Sequence, residues 1–453
     1  MEKSLQKIKE EVCQELLERG THATREEIET ILDEGVEEIT QNKDATIEEL
    51  IGNIMRDAIE DLDIMRRKYP SPGYTAGFNM NNINVKLYGG NINFLGEPMP
   101  ENALFDIASS SKFYTLCTAY NMIRDGYFDY DSKIKDLDPR FKNVGDLTVG
   151  DVTTFTTTFR TDGRIDDKNN KEEAIDLLYN MNVVQTGEYN YNDMGVMLLK
   201  EMMEKVSGEK YEDLLKRYVL EPLNLKETHL IVPTDKIKLV TGTPNASLGK
   251  VNDPKAVILG GFSGHAGVLA SSDDLLKLKG VFHNDNIHNI SDAYTHGIKT
   301  MKGIMGSTYT THEKGMDATY AGRTTPNDTA MIQGSTKVFA AFNKDSAWNF
   351  LPNPGSMGTE RALKEQERVN KRREENGQNK LELVKTFEVN EDGKIVSYEL
   401  IDSRQLLPDS ISTDKMIKNN EKIMLKLRLL DHYLKEYHKY EKDINLSIKG
   451  NKR

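Results

Sequence analysis

At 453 residues the chain is long enough for two or three domains and a large core. Hydrophobic residues make up 37% and charged residues 29%, with a mean hydropathy of -0.60, the balance of a water-soluble protein. A formal net charge of -12 argues against nucleic acid as partner, and the two cysteines, Cys13 and Cys117, stand too far apart for a metal or redox motif and read as unlinked thiols.

Residues 1–20 read as a charged helix without an apolar core of signal-peptide length, and no apolar run long enough to span a bilayer occurs anywhere. The expectation is a cytoplasmic protein with no membrane span. Thr24 and Glu27, and again Thr46 and Glu49, have the spacing of capping boxes. The second opens a long amphipathic helix with Leu50, Ile51, Ile54, Met55, Ile59 and Leu62 on one side, ended by the Pro and Gly residues at 70–73. The period then changes to two: residues 74–80 and 83–88 alternate around Asn81-Asn82 and predict a β-hairpin.

Residues 113–230 are mostly helical in pattern, broken by threonine-rich and polar connections. From Ala256 the texture turns to strand and turn, and residues 336–342 and 347–351 read as buried strands. A charged helix over 361–373, a second hairpin over 384–402 and a last amphipathic helix after Thr413 complete the chain. This order predicts an α+β layout, with sheet strands contributed from both sides of a helical insertion.

The chemistry centres on residues 106–115, a cluster of serines opening an apolar helix that Gly126 ends. Ser109 and Lys112 stand three residues apart on one face, and the first-turn N–H groups have no intrahelical partners and can face an oxyanion. Lys112 serves as a base only if burial and a cationic neighbour push its pKa down from about 10.4. The Ser-x-x-Lys spacing by itself is common here: it recurs at Ser4, Ser132, Ser207, Ser247 and Ser412. Taken alone, Ser109 reads as a helix cap and Lys112 as a solvated side chain. Tyr191-Asn192-Asp193, just before the helix at 196–206, offers a proton relay and a substrate hydrogen bond, against the plainer reading of a packed loop tyrosine.

Other signals are structural. The glycines at 260–267 lack the Gly-Lys-Ser/Thr of a phosphate loop and read as a tight turn. His283, His288 and His296 fit no metal template, and the basic run at 368–373 reads as a helix face. No metal and no cofactor is expected.

The run Ala103 to Lys112 resembles the nucleophile segment of the serine β-lactamase-related family, which includes class C β-lactamases, penicillin-binding proteins and β-lactamase-fold esterases. Tyr191 to Leu199, Leu220 to Thr228, and Val251 through Leu275 resemble its later motifs in the right order, so the resemblance spans about residues 47–352. It implies a β-lactamase/transpeptidase-like α+β fold: an antiparallel sheet flanked by helices, an all-helical lobe, and extra N- and C-terminal helices. The expected division is an extension at 1–45, a hydrolase domain at 46–375 with its lobe at about 113–240, and a hairpin-and-helix extension at 380–453. It further implies Ser109 as the nucleophile of an acyl-enzyme, Lys112 lowering the barrier to its deprotonation, Tyr191 passing the proton on, and Asp193, Gln333 and Ser335 binding substrate.

Two positions depart from the family. Neither Lys nor His stands in the third motif at 327–336, and Phe155 occupies a place where the family usually has His. His265 reads as a structural loop residue. The expected activity is that of a serine hydrolase acting on a small ester or amide or a peptide, with a D-Ala-D-Ala peptidase or β-lactamase, or a catalytically impaired scaffold, as rivals. The terminal helices are expected to pack on the domain, with self-association through them as the second reading.

Overall fold

The capping signals of the N-terminal helices are used as the sequence writes them. In the computed structural model, which describes residues 4–68, 73–92, 97–188, 190–241, 251–282, 324–326, 329–336, 338–353, 413–437 and 443–450 and short pieces between 370 and 397, Ser4 caps α1 (Leu5–Arg19). Thr24 and Thr46 close reciprocal boxes with Glu27 and Glu49 at the starts of α2 (Arg25–Gln41) and α3 (Ile47–Ile54). The long helix expected after Thr46 is interrupted at Met55 and resumes as α4 (Arg56–Lys68).

The hairpin forms in the expected register: β1 (Gly73–Met80) pairs antiparallel with β2 (Ile83–Gly90), and Asn81 takes φ +49 in the turn. Next come β3 (Phe105–Asp106), a 3-10 turn over Ala108–Ser110 and α5 (Ser111–Arg124). The helical lobe holds α6 (Ile134–Leu137), α7 (Val149–Thr153), α8 (Lys171–Tyr179), α9 (Met194–Ser207) and α10 (Tyr211–Leu215). It also carries a two-stranded ribbon of β4 (Thr157–Arg160) and β5 (Asn182–Thr186).

The chain returns through β6 (Thr228–His229), α11 (Pro254–Ile258), β7 (Leu269–Ala270) and α12 (Ser272–Lys277). Residues 256–259, expected as strand, are helical in α11 up to Ile258. Asp253 caps that helix by accepting the N–H groups of Lys255 and Ala256, and Pro254 supplies the preset first φ. The run of apolar residues at 256–259 suits a strand equally well, and these two start signals decide for helix.

β8 (Ala330–Gln333), β9 (Phe339–Phe342) and β10 (Ser346–Pro352) finish the main sheet, whose order is β13-β2-β1-β10-β9-β8. β11 (Glu388–Val389) and β12 (Ile395–Ser397) pair by themselves, within the second expected hairpin. The last helix is α13 (Thr413–Glu436). A strand that the sequence reading did not anticipate follows it: β13 (Ile444–Lys449) joins the edge of β2 in parallel. Six residues with no long apolar run give little signal until an edge is there to receive them.

Strand alternation divides the core in two. Ala330, Ile332, Ala340, Phe342 and Leu351 face the helical lobe with Phe113 and Leu116. Met331, Phe339, Ala341, Trp348 and Phe350 face the other way, against Ile8, Val12, Ile28, Leu32 and Leu427, Leu430 of the terminal helices. Ions fasten that second layer. Arg428 reaches Glu15 at 2.8 Å and Asp345 at 2.7 Å, and Arg19 reaches the same Asp345 at 2.9 Å. Burial would raise the Glu15 carboxyl, but His432 and Arg428 beside it hold it down at about 2. Among the described residues no helix is long and apolar enough to cross a membrane. The expectations for His283, His288 and His296, Asn327 and Asp328, and most of 361–373 fall outside the described residues.

Two expected outcomes follow from this packing. Glu15 and Asp345 have folded-state pKa values below their ordinary ones, so their contribution is complete above pH about 4.5 and is lost as pH falls toward about 2. Asp345→Asn should cost roughly 1–3 kcal/mol at neutral pH, because Arg428 keeps only Glu15, and should flatten urea-denaturation stability between pH 5 and 3. Gly334, just after β8, leaves no room for a side chain: a Cβ would stand 2.3 Å from the Ile107 carbonyl oxygen and 3.2 Å from Ala108 Cβ. Gly334→Ala should therefore lower stability by about 1–3 kcal/mol in the same assay by pushing β8 off the Ser109 segment.

Candidate active site

The segment that carries Ser109 is bent by a buried carboxylate. Asp106 Oδ1 accepts the Ala108 N–H at 2.7 Å and Oδ2 accepts the Asn252 N–H at 2.6 Å. Burial pushes this carboxyl up to about 6, against those two donors. The first bond holds Ala108 at φ +47, a conformation that costs a non-glycine residue about 1 kcal/mol or more. The strained residue starts the 3-10 turn and leaves Ser109 half-buried. β8 closes on the same segment, since Thr336 Oγ1 donates to the Asp106 carbonyl at 2.8 Å and Gly334 packs on Ile107.

The expected capping role of the serines does not hold for α5. Ser110 at its N-cap makes no side-chain cap bond, and Ser111 Oγ instead accepts the Val268 N–H at 3.1 Å. The Ser111 hydroxyl therefore sits at a junction with the loop before β7, its partner 157 residues away.

Lys112 follows in the first turn of α5 and is fully buried. Its Nζ lies 2.8 Å from Asp193 Oδ1, 4.8 Å above the centre of the Tyr191 ring and 3.4 Å from the His265 carbonyl oxygen. Burial alone would lower the ammonium's pKa. Asp193 first and Tyr191 after it outweigh burial and hold it above the ordinary lysine range. The resting site therefore contains a cation, whereas a neutral base would have required a shift in the other direction. Lys7, Lys135 and Lys210, which follow other serines at the same spacing, are exposed.

Tyr191 is 42% exposed and stacks on Phe155, with ring centroids 5.9 Å apart and planes 8° from parallel. Phe155 is buried, takes φ +58, and accepts the Asn190 N–H at 2.7 Å through its carbonyl. The residue that departs from the family pattern is thus the platform for the tyrosine. Asn192 points away from Lys112, donating to the Thr157 carbonyl and accepting the Gly195 N–H, which leaves Asp193 to face the lysine. Gln333 is half-buried at the end of β8 and Ser335 is exposed in the turn after it. Neither is brought to Lys112 by a contact described here.

His265 is buried and its ring is held by other groups: Nε2 lies 3.0 Å from Asp253 Oδ1 and Nδ1 lies 3.0 Å from Ser263 Oγ. Gly264 beside it has φ +85, and a Cβ there would stand 2.7 Å from the Val196 carbonyl, so the loop can press against α9 only with glycine. Its carbonyl accepts Thr115 Oγ1 at 2.7 Å, which fastens the loop to α5. Sequence reasoning missed Lys255. Its Nζ lies 2.9 Å from Asp193 Oδ2 and 3.9 Å from Asp253 Oδ2. No local signal marks it, since 143 residues separate it from Lys112.

Asp193 is consequently shared between two lysines, one on each oxygen. Burial would raise its carboxyl, yet Lys112, His265 and Lys255 hold it well below the carboxylate range. Among the described residues no group of three or more His, Cys, Asp or Glu side chains is placed to hold a metal ion. A half-buried hydroxyl at a helix start, a buried ammonium in the next turn and a phenol over that ammonium form a set suited to proton transfer around an alcohol nucleophile.

Comparison with known proteins places the fold and the family. The Beta-lactamase family model matches residues 81–337, more than half of the chain. A curated relative, N-acetylmuramyl-L-alanine amidase of Bacillus subtilis (strain 168), is 27% identical over 234 residues, covering 43% of this chain and 53% of its own. The chain thus matches about half the length of that relative. Among solved structures, EstCE1, a hydrolase with promiscuous acyltransferase activity, superposes with a TM-score of 0.54 at 15% identity, covering 66% of this chain and 94% of its own. The octameric penicillin-binding protein homologue from Pyrococcus abyssi gives 0.52 at 18% identity, covering 73% and 78%. At such identities the structural likeness shows the fold, which is the β-lactamase/transpeptidase-like α+β fold. With the strained serine turn, the buried lysine and the edge strand arranged within the matched span, the chain belongs to the β-lactamase family.

Proposed function

We propose that this protein is a serine hydrolase that transfers an acyl group to water through an ester on Ser109. The observation that carries this reading is the burial of Lys112 between Asp193 and Tyr191, three residues after Ser109, while the other described lysines at that spacing are exposed. Burying an ammonium costs several kcal/mol unless a counter-charge repays it, and its burial in the turn after a half-buried hydroxyl supports a chemical use for the charge.

The steps balance as follows. Ser109 Oγ bonds to the substrate carbonyl carbon while its proton passes to the Lys112–Tyr191 pair, taken up by Tyr191 as the phenolate that the Lys112 ammonium stabilises once the phenol's own proton has gone to solvent. The Lys112 ammonium stabilises the negative charge as it develops, and the Ser109 N–H together with one N–H of the edge strand faces the oxyanion. The bond to the leaving group breaks as Tyr191 returns the proton to it. Water then attacks the Ser109 ester, the same pair takes its proton, and Ser109 Oγ leaves with it. Tyr191 is exposed enough to meet a substrate, and Asp193 holds Lys112 in place.

An amide or ester fits better than a substrate recognised by its carboxylate, because the third-motif stretch at 327–336 holds neither Lys nor His. The amide choice is supported by the curated amidase relative.

The test is intact-mass detection of an adduct after exposure to p-nitrophenyl esters, a fluorophosphonate and penicillins, with the modified peptide mapped. An adduct on the peptide containing Ser109 is expected from the ester or the fluorophosphonate, and Ser109→Ala should abolish it. Ester turnover should fall by about 10³-fold or more in Ser109→Ala and by about 10²-fold in Tyr191→Phe. Unmodified protein with every reagent, together with Ser109→Ala turnover equal to wild type, would replace the hydrolase reading with that of a binding or scaffold protein.

A further inference from the structure

The mechanism above needs the Tyr191 phenol deprotonated beside a buried, Asp-paired ammonium, and a second cation within the same charge network favours that state. Asp193 presents one oxygen to Lys112 at 2.8 Å and the other to Lys255 at 2.9 Å. Lys255 lies on α11 and is aimed by its own cap: Asp253 accepts the N–H groups of Lys255 and Ala256, and His265 Nε2 braces the same carboxylate at 3.0 Å. The Lys255 side chain is 27% exposed, so little water screens it.

We propose that Lys255 is a positioning residue of the Ser109 site: it fixes the Asp193 carboxylate across from Lys112 and, as a nearby cation, favours loss of the proton from the Lys112–Tyr191 pair. This rests on the acyl-transfer reading of Ser109. The third-motif stretch at 327–336 holds neither Lys nor His, whereas α11 carries a lysine to Asp193.

The charged groups around both lysines are few enough to name. Lys112 faces Asp193, Tyr191 and the His265 carbonyl. Lys255 faces Asp193 and Asp253, and feels Asp166, which Arg164 already engages at 2.6 Å. His265 completes the set through Asp253. Two lysines against Asp193 and Asp253 leave the centre near neutrality. Removing Lys255 leaves Asp193 wholly to Lys112, which strengthens the hold on the proton. The sign is therefore fixed: without Lys255 the site deprotonates at higher pH.

The experiment measures the second-order rate of fluorophosphonate labelling of Ser109 from pH 5 to pH 10 by intact mass, with melting temperature recorded for each protein. Lys255→Met and Lys255→Gln should move the acidic limb up by about one pH unit or more, slowing labelling roughly tenfold at a fixed pH below it. Lys255→Arg should stay within a few tenths of a unit of wild type. Profiles of the Met and Gln variants that superpose on wild type, or that drop uniformly without moving, overturn the proposal, as does an Arg profile displaced as far as theirs. Failure of both neutral variants to fold overturns it too, by making Lys255 structural. Wild type that is unlabelled, or labelled at a residue other than Ser109, sinks the acyl-transfer reading itself, whereas labelling at Ser109 with unmoved variant profiles sinks only the role of Lys255.

Discussion

Everything near Ser109 is arranged around one ammonium that has been taken out of water. Lys112 is fully buried in the first turn of α5, and a lone cation there would cost far more than a domain can spare. Asp193 meets that cost from the start of α9, Lys255 and Asp253 extend the alternation of charge, and His265 braces the far end. Four elements or loops that are distant in sequence are held at fixed separation because each supplies one link. The Gly264 carbonyl on Thr115 and the Ser111 hydroxyl on the Val268 N–H fasten the same loop to α5 with neutral bonds.

Around that centre the backbone is strained in two places, and each serves a side chain next to it. Asp106 pins Ala108 at φ +47 just before Ser109, and Phe155 at φ +58 lies beneath Tyr191. Strain of about 1–3 kcal/mol at each persists only where packing over-determines the residue. Here both residues are buried, and both are tied by hydrogen bonds from another segment or from the next turn. The phenylalanine that breaks the family pattern therefore has a physical task, since a flat apolar ring can carry the tyrosine ring where an imidazole would add a polar group to be satisfied.

The sheet separates this chemistry from the terminal helices. Its lobe-facing side chains pack behind α5, and its opposite face is covered by α1 to α4 and α13. Arg428 and Arg19 converge on Asp345 at the turn between β9 and β10, so the helices are anchored to the same strands that carry β8 toward Ser109. The terminal segments thus brace the sheet from behind, and β13 extends it at the edge away from β8.

Much of this was written locally. Threonine and glutamate at capping-box spacing set the starts of α2 and α3, period-two alternation around Asn81-Asn82 set the first hairpin, and the ordered motifs from Ala103 to Leu275 identified the family and pointed to Ser109 among six equal spacings. These features depend on neighbours within a few residues or on linear order, so sequence alone determines them. The helix at α11, the strand β13 and the direction of the charge on Lys112 needed the tertiary structure. A short apolar stretch is read as helix or strand only once its cap and its partner edge are known, and an amine's protonation depends on which carboxylates surround it. Asp193 lies 81 residues from Lys112 and Lys255 lies 143 away, and no periodicity spans such separations; folding alone set the sign of the field at the nucleophile.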